Sequence, residues 1–428
     1  MAGIRAKVLI SLGEALRALE EAFSGVGPVG EEEIPLPSAL GRVLAEDVVA
    51  PVDVPGFSRA TMDGYAVRAC DTFGASMSRP VELKLVGSIR AGEEASVQVG
   101  PGECVAISTG SMLPRGADAV VRLEDAEAGG GVVEVFEPAV PGQNIMEAGA
   151  DIRAGELVLR AGDILTPARL GVLSALGFTS ARVLRRPRVA ILSTGDELLR
   201  PGEPLRPGMI YDVNWITMMA SVLALGGEPS FLGVAKDEIS ELTARMAEGL
   251  KSADMLIATG ASSVGASDLM REALGDLGAD VVVDGIRVKP GKPTIIALLG
   301  RKPIFCLPGN PTSALTTFSV FVEPVLARMA GLAGVWRPSV RARLASRVIP
   351  DAGRYNFVPV SLEKAGGGFS ARPVLKGSGA ITSLSQADGF VEVPEGVEVL
   401  PEGSEVRVRL FWPIRPIGRS EVEVLLGG

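Results

Sequence analysis

Between residues 187 and 330, short apolar runs and amphipathic runs take turns along the chain. No other feature of the sequence constrains the fold as strongly. Residues 189–192 read as an apolar strand ending in Ser193-Thr194-Gly195, and a helix is predicted over 214–225, closed by Gly226-Gly227. A strand over 231–234, a helix over 239–250 and a strand over 255–258 ending in Thr259-Gly260 follow. A helix near 268–277, strands near 281–288, 294–299 and 303–307, and a last helix over about 312–330 complete the series. Alternation of this kind builds a largely parallel sheet covered by helices on both faces.

The flanks have other textures. Ser11-Leu12-Gly13-Glu14 has the form of a capping box, Leu12, Leu16, Leu19 and Phe23 make an amphipathic stripe, and Gly25, Gly27 and Pro28 stop it. From about 51 to 145, β-rich runs at 81–86, 105–108, 119–122 and 132–136 alternate with Gly and Pro turns, which reads as a small β domain. Residues 151–184 return to helix, with Thr166-Pro167 as cap and first turn and Leu170, Leu173 and Leu176 as its stripe. Trp336-Arg337-Pro338 is a candidate linker. Beyond it, 339–428 reads as a C-terminal β domain with a hairpin loop at Gly366-Gly367-Gly368.

Composition narrows the chemistry. The 428 residues include no histidine, so neither a Ser-His-Asp hydrolase nor an HExxH metalloenzyme can be built. Proton chemistry falls to carboxylates, lysines, hydroxyls or water, and a metal held by oxygen is expected to be Mg²⁺ or Mn²⁺. Three distant cysteines (Cys70, Cys104, Cys306) make no disulfide framework and fit a reducing compartment. A net charge of −9 argues against a nucleic-acid coat or a polybasic membrane binder. No apolar stretch approaches the ~20 residues of a spanning helix, and the expectation is a cytoplasmic protein. Only four asparagines and nine lysines occur, which gives weight to Asn144, Asn214, Asn310, Lys289 and Lys292.

Open α/β sheets bind ligands outside the carboxyl ends of their strands. Here those ends carry Ser193-Thr194-Gly195-Asp196-Glu197, a Thr259–Asp268 stretch with three serines and two glycines, Lys289-Pro290-Gly291-Lys292-Pro293, and Leu307-Pro308-Gly309-Asn310-Pro311-Thr312-Ser313. Each has a plain structural reading too: a turn and cap at Glu197, a cap at Asp268, a cap at Asn310. The lysine motif is not a Walker loop, because Gly285 stands five residues before Gly291 and Pro293 replaces the needed hydroxyl. Together the segments place carboxylates, two lysines and hydroxyls at one rim, which suits an oxyanionic substrate and a divalent ion.

The same segments occur in the order found in a known family. Thr61-Met62-Asp63-Gly64-Tyr65-Ala66-Val67, Ile107-Ser108-Thr109-Gly110, Pro114-Arg115-Gly116-Ala117-Asp118, Ser193-Thr194-Gly195-Asp196-Glu197-Leu198, Ser263-Val264-Gly265 with Asp268, Lys289-Pro290-Gly291-Lys292-Pro293 and Leu307-Pro308-Gly309-Asn310-Pro311 resemble the MoeA/gephyrin E-domain family, the molybdopterin molybdenumtransferases. The resemblance covers nearly the whole chain. It implies an α/β multidomain protein whose central three-layer α/β domain has a mostly parallel sheet. An elongated N-terminal α+β domain (1–53 plus 146–184), an inserted β domain (54–145), the α/β domain (185–335) and a C-terminal β barrel (336–428) are its expected parts.

The resemblance further implies a homodimer with a site shared between subunits. The implied reaction takes adenylylated molybdopterin and molybdate (or tungstate), with Mg²⁺, and releases AMP. By motif match, Asp63 and Thr109 would come from the partner's inserted domain. Glu197, Asp237 and Asp268 would shape the pocket, with Glu197 and Asp268 as metal ligands. Thr194, Gly195, Ser263 and Gly265 would bind the substrate. Lys289 and Lys292 would balance anionic charge, and Pro308, Pro311, Ser313 and Ser383 would line the cleft. The chain departs from the family pattern at Ala60, Val213, Ala261 and Pro359, the last standing where many members have an Arg. A second reading is a non-catalytic or altered paralogue that binds molybdopterin or acts as a scaffold.

Overall fold

The computed structural model describes residues 9–260, 264–377, 379–412 and 415–417. In the central region, strand β1 (Arg188–Thr194) is followed by α1 (Asn214–Ala224), β2 (Glu228–Ala235), α2 (Ile239–Ser252), β3 (Met255–Thr259) and α3 (Val264–Asp276). Strands β4 (Asp280–Asp284), β5 (Ile295–Leu299) and β6 (Lys302–Leu307) then lead into α4 (Pro311–Thr317), which continues through a π-helical turn to Met329. The sheet has six strands in the order β2-β1-β3-β6-β5-β4. The first four run parallel and the β6–β5 and β5–β4 pairs are antiparallel.

Side chains alternate across a strand, so β1 sends Val189 and Ile191 to one face and Ala190 and Leu192 to the other. The first pair packs with Met218 and Val222 of α1 and with Phe318 and Phe321; the second packs with Leu242 and Met246 of α2 and Met270 and Leu274 of α3. These are the three layers that the alternating runs predict. The last predicted strand-to-helix details shift slightly. The run read as one strand over 281–288 is β4 plus a separate two-residue strand, Val288–Lys289. Helix α3 begins at Val264, four residues before Asp268, so Asp268 lies within the helix and does not cap it.

The N-terminal helix Leu12–Ala22 has the expected capping box: Glu14 N–H donates to Ser11 Oγ at 3.2 Å and Ser11 N–H to Glu14 Oε2 at 2.7 Å. Its buried face is Ala15, Leu19 and Phe23, whereas Leu16 of the expected stripe is 39% exposed. That face packs on the central sheet, with Phe23 edge-on to Phe305 at 5.9 Å. Strand Glu31–Pro35 pairs with Ser180–Leu184, and Val48–Val49 with Leu157–Leu159, so the segments on either side of the insertion share one core. The inserted region forms its own six-stranded sheet, with Gly64–Val67 between Ala119–Arg122 and Glu103–Ile107.

Toward the C-terminus, Tyr355–Ala365 pairs with both Gly368–Pro373 and Gly389–Val393, and this closes a barrel with Ser339–Leu344 and Glu405–Leu410 around Val360, Ala371, Val391 and Val408. Gly366 and Gly367 turn the hairpin as expected, both at positive φ. Trp336-Arg337-Pro338 is not a loose linker. Arg337, 6% exposed in its side chain, forms an ion pair with Glu323, 2% exposed, and donates to the Phe411 carbonyl at 2.6 Å. None of the helices among the described residues is long and apolar enough to cross a membrane.

Candidate functional site

In the order β2-β1-β3, the chain leaves β1 to one side and returns on the other, which opens a crevice at the carboxyl ends of β1 and β3. Two glycines shape that crevice. A Cβ at Gly260 (φ +132°) would lie 2.1 Å from Thr194 Oγ1 and 2.3 Å from the Thr194 carbonyl oxygen, so only glycine lets the two strand ends approach this closely. A Cβ at Gly195 (φ +145°) would lie 2.7 Å from Glu197 Oε2, because the Glu197 carboxylate folds back over Gly195. Thr194 itself is buried, and Gly265, at the start of α3, is exposed with open space where a side chain would be. Ser263, expected to bind the same ligand, lies outside the described residues.

The acidic groups do not form one cluster. Partial loss of hydration raises the Asp237 carboxyl above its ordinary value, and repulsion from Asp196 and then Glu197 adds to it. Asp268 is held by Arg271, which also takes the Asp284 carboxylate through Nε at 2.9 and 3.0 Å. No group of three or more carboxylate or thiol side chains among the described residues is arranged to hold a metal ion. Mg²⁺ commonly uses only one or two carboxylates together with water and substrate phosphates, and the carboxylates of Glu197 and Asp268 are donors of that kind. Arg271 would keep Asp284 as its partner if Asp268 turned to an ion.

The Asp212-Val213-Asn214 segment, where Val213 departs from the family pattern, carries unsatisfied atoms. Asp212 Oδ1 accepts from the N–H groups of Asn214 and Trp215, at 3.0 and 3.3 Å, and Asn214 Nδ2 donates to the Gly309 carbonyl at 2.7 Å. Their other oxygens, Asp212 Oδ2 and Asn214 Oδ1, are buried with no hydrogen-bond partner among the described residues. Orphaned acceptors of this kind are costly and mark places where water or a ligand belongs. The Asp212-Val213-Asn214 segment was visible as a motif; the orphaned oxygens were not.

A second pocket, about 140 Å³ in volume, lies where the lysine motif meets the barrel. Val288–Lys289 pairs in parallel with Tyr355–Asn356, so the motif is hydrogen-bonded into the barrel's edge. Lys289, Thr312, Asp351, Asn356 and Ser383 are its polar lining, and Pro290, Pro350, Val358 and Pro359 are part of its apolar wall. Thr312 and Ser383 are 3% and 1% exposed, and neither hydroxyl has a partner among the described residues. Lys289 Nζ donates to Asp351 Oδ1 at 2.6 Å. Lys292 is exposed and has no carboxylate partner among the described residues. Pro308 and Ser313 are buried, Ser313 next to the Thr312 that lines the pocket, and Pro311 opens α4.

Asp351 escaped the sequence reading, and Thr312 and Asn356 had no role of their own in it. The fourth asparagine, Asn356, would have been the clue, since the other three were already marked. In the inserted domain, Asp63 and Thr109 meet directly: Asp63 Oδ1 accepts from Thr109 N–H at 2.7 Å and from Thr109 Oγ1 at 3.0 Å. The backbone bond, and then the hydroxyl bond, hold the Asp63 carboxyl below its ordinary range. Among the described residues, the Arg328 side chain ties the α/β domain to Phe23, but no hydrogen bond or ion pair joins that domain to the inserted one.

Comparison with known proteins bears on the whole chain. Residues 10–177 match the MoeA N-terminal region (domains I and II), 190–328 a probable molybdopterin binding domain, and 341–411 the MoeA C-terminal region (domain IV). A molybdopterin molybdenumtransferase 2 of Mycobacterium tuberculosis is 36% identical over 93% of this chain and 98% of its own length. The molybdopterin molybdenumtransferase of Bacillus subtilis is 34% identical over 91% of this chain and 94% of its own. A solved molybdopterin biosynthesis MoeA protein from Pyrococcus horikoshii superposes with a TM-score of 0.76 at 34% identity, covering 94% of this chain and 100% of that one.

Proposed function

Because this chain belongs to the molybdopterin molybdenumtransferase (MoeA) family, we propose that it inserts molybdate or tungstate into adenylylated molybdopterin, with release of AMP, in molybdenum cofactor biosynthesis. The observation that carries the reading is the pocket between the lysine motif and the barrel. There a lysine and two buried hydroxyls without partners stand ready to bond a small tetrahedral anion. A buried hydroxyl without a partner is expensive, and an oxyanion accepts from groups of this kind. The crevice at Thr194, Gly260 and Gly265 takes the larger substrate, with Asp212 Oδ2 and Asn214 Oδ1 as acceptors for its N–H groups. Gly265 leaves room for close approach of the ligand to the start of α3.

In this reading Lys292, which has no carboxylate partner among the described residues, offsets phosphate charge between the two pockets. Mg²⁺, when bound, neutralises developing charge on the phosphate oxygens. Glu197 and Asp268 would hold it, and Asp237, already disfavouring its charge, would gain most from a nearby cation. Asp63 and Thr109 act together, since the two hydrogen bonds fix the carboxylate as a single acceptor. In this reading the chain is a homodimer, and Asp63 and Thr109 of the partner's inserted domain complete the site. The test is AMP release from adenylylated molybdopterin with Mg²⁺ and either oxyanion. Lys289→Ala should raise the oxyanion requirement more than it weakens pterin binding; equal effects on both would refute the assignment. Substrate binding without any AMP release would favour the scaffold reading.

A further inference from the structure

We propose that Asp351 competes with the oxyanion for Lys289 and so sets how much oxyanion the protein needs. The proposal rests on the assignment of this pocket to the oxyanion. Asp351 lines the same pocket as Lys289, Thr312 and Ser383, and its Oδ1 lies 2.6 Å from Lys289 Nζ. A carboxylate on that ammonium occupies the position that an incoming anion would take.

The competitor is built in rather than incidental. Asn356, 4% exposed, accepts from Asp351 N–H through Oδ1 at 3.0 Å and donates through Nδ2 to the carbonyls of Asp351 and Arg354, at 3.1 and 2.8 Å. Arg354 approaches the second carboxylate oxygen at 3.4 Å. Asn356 is also the residue that faces Lys289 in the parallel pairing of the two segments. One buried amide thus fixes the loop bearing Asp351 against the strand bearing Lys289. The carboxylate cannot move far from the ammonium unless that loop breaks its bonds.

Two consequences follow for a dianion. Entry must displace Asp351 from Lys289, and the dianion then sits beside a fixed negative charge. Both raise the concentration needed. The side chains of Lys289 and Asp351 are 53% and 39% exposed, so water and salt screen the effect. Removing one partly screened unit charge a few ångströms from a dianion is expected to tighten binding about tenfold.

Equilibrium dialysis of the full chain against molybdate, and separately tungstate, tests this. Asp351→Asn should bind about tenfold tighter than the parent, and Asp351→Glu, which keeps the charge, should bind like the parent. The gain should vanish when Asp351→Asn is combined with Lys289→Ala. Asp351→Ser serves as a second neutral variant if the amide disturbs folding, judged by thermal unfolding. Unchanged or weaker binding in both neutral variants would overturn the proposal while leaving the pocket assignment intact, provided Lys289→Ala still weakens the parent. A gain that persists without Lys289 would overturn the competition. If the parent binds neither oxyanion, or binds them with no dependence on Lys289, the pocket assignment falls and the proposal with it.

Discussion

Alanine at position 260 should damage the protein far more than its single added methyl suggests. Its Cβ would sit 2.1 Å from Thr194 Oγ1 and 2.3 Å from the Thr194 carbonyl oxygen, and the second contact is with backbone that cannot rotate away. The backbone at 260 has φ +132°, outside the range that alanine adopts without strain. Strain of this kind costs about 1–3 kcal/mol, and forcing an extra carbon into packed structure costs about 1–3 kcal/mol more. The sum is roughly 2–6 kcal/mol, and at about 2–4 °C per kcal/mol for a domain of this size it should lower the melting temperature by around ten degrees. Gly265→Ala is the control, because its Cβ would meet nothing within 4 Å. Thermal unfolding followed by circular dichroism, with AMP release measured well below the transition, separates the two effects. Gly260→Ala should lose both stability and activity, and Gly265→Ala should keep its fold while losing substrate affinity. A Gly260→Ala protein that melts within ~2 °C of the parent would refute the claim that the β1–β3 crevice depends on this close approach.

Other variants probe the remaining joints of the structure. Arg337→Met should leave Glu323 buried and unpaired, at a cost of about 3–5 kcal/mol, and Glu323→Gln in the same chain should recover much of it in urea unfolding. Asp237 has a raised carboxyl in the folded state, so folding favours its protonated form and stability gains as pH falls through that raised value. Asp237→Asn should therefore be more stable than the parent near neutrality, with the difference narrowing at acid pH; a gap that widens on acidification would contradict the sign. Mixing Asp63→Ala with Asp268→Ala should restore part of the AMP release if the site is shared between subunits. No recovery despite proven subunit exchange would place the site within one chain.

The sheet was legible because its signal is local. Each strand of the central region announces itself by a short apolar run and each helix by its spacing, and the order of the two dictates parallel pairing. The capping box at Ser11 and Glu14, the Thr166-Pro167 helix start and the glycine hairpin at 366–367 were legible for the same reason. The face of the first helix was harder to read. Leu16 fits a stripe on paper, but Ala15 holds the buried place and packs with the sheet's core. In the candidate site, the motif residues could be picked out one by one, but not their partners. Asp351 meets Lys289 across 62 residues of sequence through a strand pairing that no spacing encodes. The orphaned hydroxyls of Thr312 and Ser383 are likewise properties of burial, which appear only when α4 and the barrel close over one another.

Residues 286–289 are joined on both sides to distant parts of the chain. Ile286 bridges to Ile10, whose carbonyl accepts from Arg287 N–H at 2.8 Å, and Val288 and Lys289 pair with Tyr355 and Asn356. The barrel strand of that pairing follows the whole α/β region in the chain, so during synthesis it emerges after the strands that form the crevice. A chain still emerging from synthesis, or one with its barrel undocked, would therefore possess the crevice at β1 and β3 without a finished lysine pocket. Competence to hold the small anion becomes a signature of completed assembly, and a half-built molecule that captured the larger substrate would have no means of acting on it.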